Sequence, residues 1–224
     1  LHRGPRASDV VTGGHPTVGI RVPRHPIAQK LLRRFGGGIA APSANRFGRV
    51  SPTCAAHVAD ELGERLDLLL DGGPCEVGLE STIVDLSGPR PSILRPGGVT
   101  REQLSDCLGA PIDDAPTGGP AAPGRLASHY APEARVEIVS DSRLAERAAE
   151  LSAQGLRVAV LASDSADLKV QARGLYAAFR DADAQGCDVI LVTQPHGGGL
   201  APAIADRLRK AAGLGFSDSP CDQP

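Results

Sequence analysis

Short apolar runs alternate with longer amphipathic segments in the second half of the chain, and this alternation constrains the fold most strongly. Three runs have the length and composition of buried strands: residues 136–140, 156–161 and 189–193. A segment with helical periodicity follows each run, at residues 142–154, 166–185 and 201–212. Strands that alternate with helices in this way form a parallel sheet covered by helices on both faces. We therefore predict a small parallel α/β domain.

The first half is less regular, and residues 110–128 separate it from the second half. Ala, Pro and Gly dominate this segment, which is typical of a semi-extended linker. Before it we predict strands at residues 17–22, 39–41, 66–70, 81–86 and 92–94. We predict helices at residues 27–35 and 52–62, and a third helix that opens with a capping box at residues 100–103. The chain then divides into residues 1–109, a linker at 110–132, a domain at 133–214 and a disordered tail at 215–224.

Composition argues against several classes of protein. The hydrophobic fraction of 41% and charged fraction of 22% are ordinary for a globular chain. No apolar run approaches the roughly 18 residues needed to cross a bilayer, and no signal peptide opens the sequence, so we expect a cytoplasmic protein without membrane contact. The five cysteines are widely separated and the six histidines lack a metal-binding spacing. We expect neither a disulfide framework nor a metal site built by the protein.

Charge is distributed unevenly along the chain. Residues 1–60 hold nine Lys and Arg against two acidic residues, a balance of +7. The remainder holds 24 − 9 = 15 basic and 26 − 2 = 24 acidic residues, a balance of −9. A basic segment on an acidic protein indicates a local anion site or a solvated basic surface. A module that binds double-stranded RNA or tRNA without catalysis is an alternative, although aromatic residues make up only 3% of the chain.

A first candidate anion-binding string is Ala-Pro-Ser-Ala-Asn at residues 41–45, followed by Ser51-Pro52-Thr53. Small residues leave space over the backbone, and Ser43 and Asn45 can bond their own turn or a bound group. Ser51 is expected to cap a helix whose free N–H groups suit a phosphate or carboxylate. An ordinary turn with satisfied caps is the alternative.

A second string is Gly-Leu-Glu-Ser-Thr at residues 78–82. Its glycine permits close approach, and Ser81 and Thr82 stand where an apolar strand begins. Glu80 could act as a general base, although a single Glu in a loop is more often structural. No residue in the chain is assigned a catalytic role, since we expect catalysis by positioning.

Two arginines lie in positions that suit an anion. Arg21 is on the predicted strand face opposite three aliphatic residues, where it could clamp a carboxylate through two hydrogen bonds. Arg95 ends a strand beside Pro-Gly-Gly and suits a phosphate contact. Solvation of an edge strand and simple strand termination are the respective alternatives.

The order of these motifs resembles the threonylcarbamoyl-AMP synthase family. The matching strings are T-V-G-I-R-V-P, A-P-S-A-N with S-P-T, G-L-E-S-T-I-V-D and I-L-R-P-G-G. Pro123-Gly124 and the S-H-Y-A-P string at residues 128–132 resemble the linker of the family's long form, from which Arg125 and Ser128 depart. The resemblance extends to residue 213. It implies an α/β fold: a YrdC-type twisted mixed open sheet with helices, here partial, followed by a small Rossmann-like parallel domain.

The resemblance implies a nucleotidyltransferase. The family forms threonylcarbamoyl-AMP and pyrophosphate from L-threonine, bicarbonate and ATP, with Mg²⁺ held mainly by phosphates. The product serves threonylcarbamoyladenosine modification of tRNA, so tRNA and its threonylcarbamoyl-transfer machinery are implied partners. A related carbamoyl-transfer enzyme is a further alternative, against which the linker and second domain argue.

The resemblance also implies site residues. Those expected around ATP are Thr17, Ser43, Ser51, Arg95 and Tyr130. Those expected around threonine are Arg21, the Ala41 backbone and Ser81. Asn45 and Thr82 are additional candidates.

The start of the sequence departs from the family pattern. It begins with Leu1 and contains no methionine, and the family's N-terminal segment with a Lys-x-Arg motif is not found. We expect a fragment that lacks part of its first sheet and is inactive by itself.

Overall fold

The described residues form two three-stranded sheets, one in each half of the chain. A computed structural model describes residues 1–116, 122, 130–161 and 167–214. The predicted tail at 215–224 and most of residues 117–129 of the predicted linker lie outside the described residues.

The first half carries four helices among its described residues: α1 Asp9–Thr12, α2 Pro26–Phe35, α3 Ala55–Leu62 and α4 Arg101–Leu108. A 3₁₀ turn at Gly63–Arg65 follows α3. Its strands are β1 Ile83–Asp85, β2 Ser92–Arg95 and β3 Asp113–Asp114. Strand β2 is central, antiparallel to β1 and parallel to β3. The result is a small mixed sheet, as the resemblance implies.

The second half is a parallel sheet with helices on it. Its elements are β4 Arg135–Ile138, α5 Leu144–Ala153, β5 Val158–Leu161, α6 Leu168–Ala184, β6 Val189–Val192 and α7 Ala201–Ala211. A 3₁₀ turn at Asp141–Arg143 leads into α5. The strand order is β4-β6-β5, with β6 parallel to both neighbours. All four residues of β6 are buried, as its unbroken Val-Ile-Leu-Val run predicts. The α/β fold predicted for this half is confirmed.

Three strands predicted in the first half do not form, at residues 17–22, 39–41 and 66–70. Within the described ranges, the first of these makes only an isolated antiparallel bridge, between His2 and Thr17. Ile20, Val22 and Leu68 are 67%, 85% and 75% exposed. An alternating apolar pattern produces a strand only where a neighbouring strand and a core are present, and these segments have neither.

Helix α3 begins later than predicted, and the expected cap by Ser51 is wrong. The residue before the first helical turn is Cys54, which makes no side-chain cap bond. The Thr53 amide instead donates to Nδ1 of His57 at 3.2 Å, while the Ser51 hydroxyl is engaged elsewhere. The capping box of α4 is confirmed, since the Thr100 hydroxyl accepts from the Gln103 amide.

The two halves pack directly against each other. Gly78 has φ of +78°, and a Cβ at this position would lie 2.5 Å from the Ala172 carbonyl oxygen and from the Arg173 Cα of α6. Only glycine allows this approach. Arg180, also on α6, donates to the Val50 carbonyl and pairs with Glu61 of α3 at 2.6 Å. Loops of the first half therefore rest on helices of the second.

Candidate functional site

The two strings predicted from the sequence meet in space. The Ser51 hydroxyl donates to Oε1 of Glu80 at 2.5 Å, which joins the first string to the second. The turn after Arg95 lies against the second string, since the Gly98 amide donates to the Glu80 carbonyl at 3.2 Å. A Cβ on Gly97 would collide with the same carbonyl. We call the group that surrounds this meeting point the junction cluster: Ser51, Glu80, Ser81, Arg95, Tyr130, Tyr176 and Arg207.

The Glu80 carboxylate is the centre of the junction cluster. Its Oε2 accepts hydrogen bonds from the Tyr176 hydroxyl at 2.9 Å and from Nε of Arg207 at 2.6 Å. Burial raises the pKa of Glu80, but the Arg207 charge and the hydrogen bonds from Ser51 and Arg207 more than offset this, so the pKa falls below 4.5. A carboxylate held in this way remains ionised and is a poor general base, which favours the structural role for Glu80.

Tyr176 is a donor in this arrangement. Burial, followed by the nearby Glu80 charge, raises the pKa of its phenol well above 10. The phenol therefore stays protonated and donates a hydrogen bond to the carboxylate.

Arg207 is the most extensively engaged side chain of the cluster and is fully buried. Besides Glu80, it donates through Nη2 to the Pro96 carbonyl at 3.0 Å and through Nη1 to Asp206. Its guanidinium lies 5.0 Å from the centre of the Tyr130 ring. Lys210, one helical turn further on, pairs with Asp206 at 2.7 Å. Arg207 thus reaches the loops of the first half, and its neighbours Asp206 and Lys210 pair within α7.

Arg95 and Ser81 are adjacent, as a shared site requires. Arg95 is buried and donates to the Ser81 carbonyl through Nη2 at 2.8 Å and Nε at 3.2 Å. The Ser81 residue itself is exposed. The Thr82 hydroxyl accepts from the Val99 amide at 3.1 Å and donates to the Val99 carbonyl, so it secures the turn after Arg95.

Tyr130 lies inside the junction cluster and is 2% exposed. Its φ of +62° is in the left-handed region, which a bulky residue adopts only when its surroundings impose it. The ring is 5.8 Å from that of Tyr176, and the following Ala131 amide donates to the Gly48 carbonyl at 2.9 Å. The chain at Tyr130 is therefore fixed to the loop that carries Ser51.

The other predicted site residues lie outside this cluster. Within the part of the chain that the structure describes, no hydrogen bond or ion pair joins Thr17, Arg21 or Ser43 to the cluster; Arg21, Ala41 and Ser43 are exposed. The Asn45 amide nitrogen donates to the carbonyls of Arg46 and Arg49 at 2.9 and 3.0 Å. Among the described residues its side-chain oxygen has no partner.

Sequence reasoning missed Tyr176, Arg207, Asp206 and Lys210. The available signal was the charge on α7, where Asp206, Arg207 and Lys210 interrupt a helix whose Ala203, Ile204 and Leu208 are apolar. Such charges on a core-facing helix require partners, although the sequence does not identify them.

The described ranges 1–116, 122, 130–161 and 167–214 contain neither a metal-binding cluster nor a membrane-spanning helix. No group of three or more His, Cys, Asp or Glu residues could hold a metal ion there. No helix in those ranges has the length and apolarity for a membrane crossing. Four cysteines there are free thiols: Cys54, Cys75, Cys107 and Cys187.

Two family models match consecutive parts of the chain. A model of the Sua5, YciO and YrdC family, described as telomere recombination, matches residues 1–97. The model of the threonylcarbamoyl-AMP synthase C-terminal domain matches residues 99–213.

Curated proteins and a solved structure agree with these models. Threonylcarbamoyl-AMP synthase of Pyrococcus abyssi is 39% identical over 91% of this chain and 66% of its own length. The Bacillus subtilis synthase is 39% identical over 91% of this chain and 65% of its own. The crystal structure of P. abyssi Sua5 complexed with L-threonine matches with a TM-score of 0.84 and 38% identity, over 95% of this chain and 69% of that one. The chain spans slightly less than two thirds of these curated relatives, and it belongs to the threonylcarbamoyl-AMP synthase family.

Proposed function

We propose that the protein is an L-threonylcarbamoyladenylate synthase. In this role it forms threonylcarbamoyl-AMP and pyrophosphate from L-threonine, bicarbonate and ATP, for threonylcarbamoyladenosine modification of tRNA in the cytoplasm. The observation that carries the proposal is the junction cluster, where Ser51, Ser81, Arg95 and Tyr130 from four separate segments come together. The relative solved with L-threonine supports the same conclusion.

The proposed substrate contacts divide between the two strings. Ser51, Arg95 and Tyr130 would serve the nucleotide, with Thr17 and Ser43 from the neighbouring segments. Ser81, the Ala41 backbone and Arg21 would serve threonine, and Asn45 is a further candidate through its unpartnered oxygen. Because Arg95 donates a hydrogen bond to the Ser81 carbonyl, the nucleotide and threonine would meet at this residue pair.

The proposed reaction needs little acid–base machinery. Bicarbonate takes up a proton and gives CO2 and water, and the threonine amine adds to the CO2 and loses a proton to form a carbamate. A carbamate oxygen then attacks the α-phosphorus of ATP, and pyrophosphate leaves. Holding the carbamate beside the α-phosphorus and neutralising phosphate charge can account for most of the acceleration. Mg²⁺, which prefers phosphate and water oxygens, would supply part of that neutralisation. The site residues contribute hydroxyl groups and guanidinium groups, which suit a metal carried by the nucleotide.

We also propose separate roles for successive segments of the chain. Residues 1–109 would form the catalytic domain, 110–132 a linker that covers the site, and 133–214 the C-terminal domain. The 215–224 segment would be a tail.

Pyrophosphate release tests the proposed function. It is measured on the protein made from its complete coding sequence, with ATP and bicarbonate, with and without L-threonine. Threonine-dependent release supports the synthase. Pyrophosphate release that does not depend on threonine contradicts it. Binding of tRNA with a steep salt dependence, without pyrophosphate release, would favour the RNA-binding alternative.

Arg21→Ala tests the threonine contacts. Loss of a guanidinium that pairs with the amino-acid carboxylate should raise the KM for threonine about tenfold, with little change in the KM for ATP. Arg24→Ala is the matched control, because this exposed arginine lies three residues away and pairs with Glu76. An unchanged threonine response in Arg21→Ala would contradict the assigned role.

A further inference from the structure

The C-terminal half reaches the proposed ATP site through two side chains. Tyr176 of α6 and Arg207 of α7 both donate to the same oxygen of Glu80. The other oxygen of Glu80 accepts the hydrogen of Ser51. A chain of three hydrogen-bonded groups therefore runs from the helices of one half to a hydroxyl assigned to ATP in the other.

We propose that Tyr176 and Arg207 are positioning residues for the ATP-binding part of the site: they hold Glu80 as an ionised acceptor that fixes both the place and the polarity of the Ser51 hydroxyl. This inference rests on the proposed function. It assigns to the C-terminal domain an indirect part in nucleotide binding, through residues that do not themselves contact the substrate.

The polarity follows from elementary hydrogen bonding. An ionised carboxylate only accepts, so the Ser51 hydrogen is directed to Glu80 and cannot be donated to a ligand. Ser51 then offers only lone pairs. Its partner on the nucleotide must be a donor, such as a ribose hydroxyl, the adenine amine or a metal-bound water, rather than a phosphate oxygen.

Arg207 also fixes the second loop of the site. Its Nη2 donates to the carbonyl of Pro96, which directly follows Arg95. Arg95 in turn holds the Ser81 carbonyl. One buried guanidinium thus determines the spacing between the Ser51 loop and the turn after Arg95.

Stability alone is a weak reason for this network. The free-energy cost of removing two charges from water offsets much of their mutual attraction. Apolar side chains of similar volume therefore often stabilise a protein equally well. The Arg207 side chain is fully buried and that of Glu80 is 17% exposed. This charged network ends on the Ser51 hydroxyl, which we assign to ATP binding. Setting the geometry of that hydroxyl gives the network a function beyond stability.

Steady-state kinetics on the protein made from its complete coding sequence test the proposal. Tyr176→Phe removes a single hydroxyl, and Arg207→Lys keeps the charge but cannot donate to Glu80, Pro96 and Asp206 together. Each should raise the KM for ATP, by about tenfold in Arg207→Lys and about threefold in Tyr176→Phe. The KM for threonine should stay within twofold in Tyr176→Phe, which leaves the bond from Arg207 to the Pro96 carbonyl in place, and should rise less than the KM for ATP in Arg207→Lys. ATP analogues that lack a ribose hydroxyl should show a smaller difference between the wild type and Glu80→Gln.

Arg147→Lys is the matched control. Arg147 forms a two-point pair with Glu137 of β4 and a further pair with Glu150, all within the second half. This variant disturbs an arginine network of the same domain without touching the junction. Its KM for ATP should equal that of the wild type, and a rise equal to that of Arg207→Lys would overturn the proposal.

Amide hydrogen exchange separates this proposal from the proposed function. In Arg207→Lys, residues 49–53 and 79–82 should exchange faster than in the wild type, while β4 and β6 remain protected. Unchanged exchange at these loops would overturn the positioning role whether or not the wild type is active. A wild type without threonine-dependent pyrophosphate release overturns the synthase, and faster loop exchange would still support the fixing of these loops by Arg207.

Discussion

The two halves of the chain respond differently to the same kind of sequence pattern. In the second half, every predicted strand forms and β6 is completely buried between its neighbours. In the first half, alternating segments such as residues 17–22 form no strand, and their aliphatic side chains are largely exposed. Periodicity specifies which face of a strand is apolar, but pairing and burial depend on what the rest of the chain supplies.

The largest effect that tests this contrast is expected from two phenylalanines. Phe179 of α6 is fully buried, whereas Phe35 at the end of α2 is 64% exposed. Phe179→Ala should lower the free energy of unfolding by about 3–5 kcal/mol through lost burial and a cavity, and Phe35→Ala by less than about 1 kcal/mol. Urea denaturation measures both, and equal losses would show that the first half has a core comparable to the second.

A smaller effect is expected where the halves touch. Gly78 and Gly73 have φ values of +78° and +80°, but only Gly78 faces backbone atoms of α6, while nothing lies within 4 Å of a Cβ on Gly73. Both alanine variants carry the strain of a positive φ. The collision should make Gly78→Ala about 1–3 kcal/mol more destabilising than Gly73→Ala. Thermal unfolding of the pair measures the difference, and identical midpoints would mean that the halves separate without cost.

The start of α3 shows why local signals failed in part of the fold. Ser-Pro at residues 51–52 is a good start signal for a helix, yet two competing contacts override it. Glu80 accepts a hydrogen bond from the Ser51 hydroxyl, and His57 accepts one from the Thr53 amide. A cap is a local property, but the availability of its hydroxyl depends on a residue 29 positions away.

Only part of the candidate site could be predicted, because sequence patterns do not reveal contacts between distant residues. Ser51, Ser81, Arg95 and Tyr130 belong to recognisable strings, and the structure brings them together. Arg207 was missed because its role depends on a contact with Glu80, which is 127 positions away in the sequence. A charged residue on an apolar helix face shows that a partner must exist, but only packing of the two halves identifies it.

The smallest effect, the pH dependence of stability, tests whether the junction contributes to folding differently from an ion pair inside one half. The pKa of Glu80 is lower in the folded protein than its ordinary value of 4.5. The unfolded chain therefore binds more protons near this pH, so the stabilisation is present above 4.5 and is lost as the pH falls through the folded pKa. Glu80→Gln should remove this part of the acid sensitivity, measured by urea midpoints at a series of pH values below 6.

Glu137→Gln is the control for this measurement. The hydrogen bond from Arg147 lowers the pKa of Glu137 as well, so its contribution has the same sign. Glu137 and Arg147 both belong to the second half, so this variant should change acid sensitivity while exchange at residues 49–53 stays as in the wild type. Glu80→Gln should change both quantities, because its carboxylate ties the loop of one half to the helices of the other. Loss of acid sensitivity in Glu80→Gln without any loosening of residues 49–53 would reduce the junction to an ordinary buried ion pair.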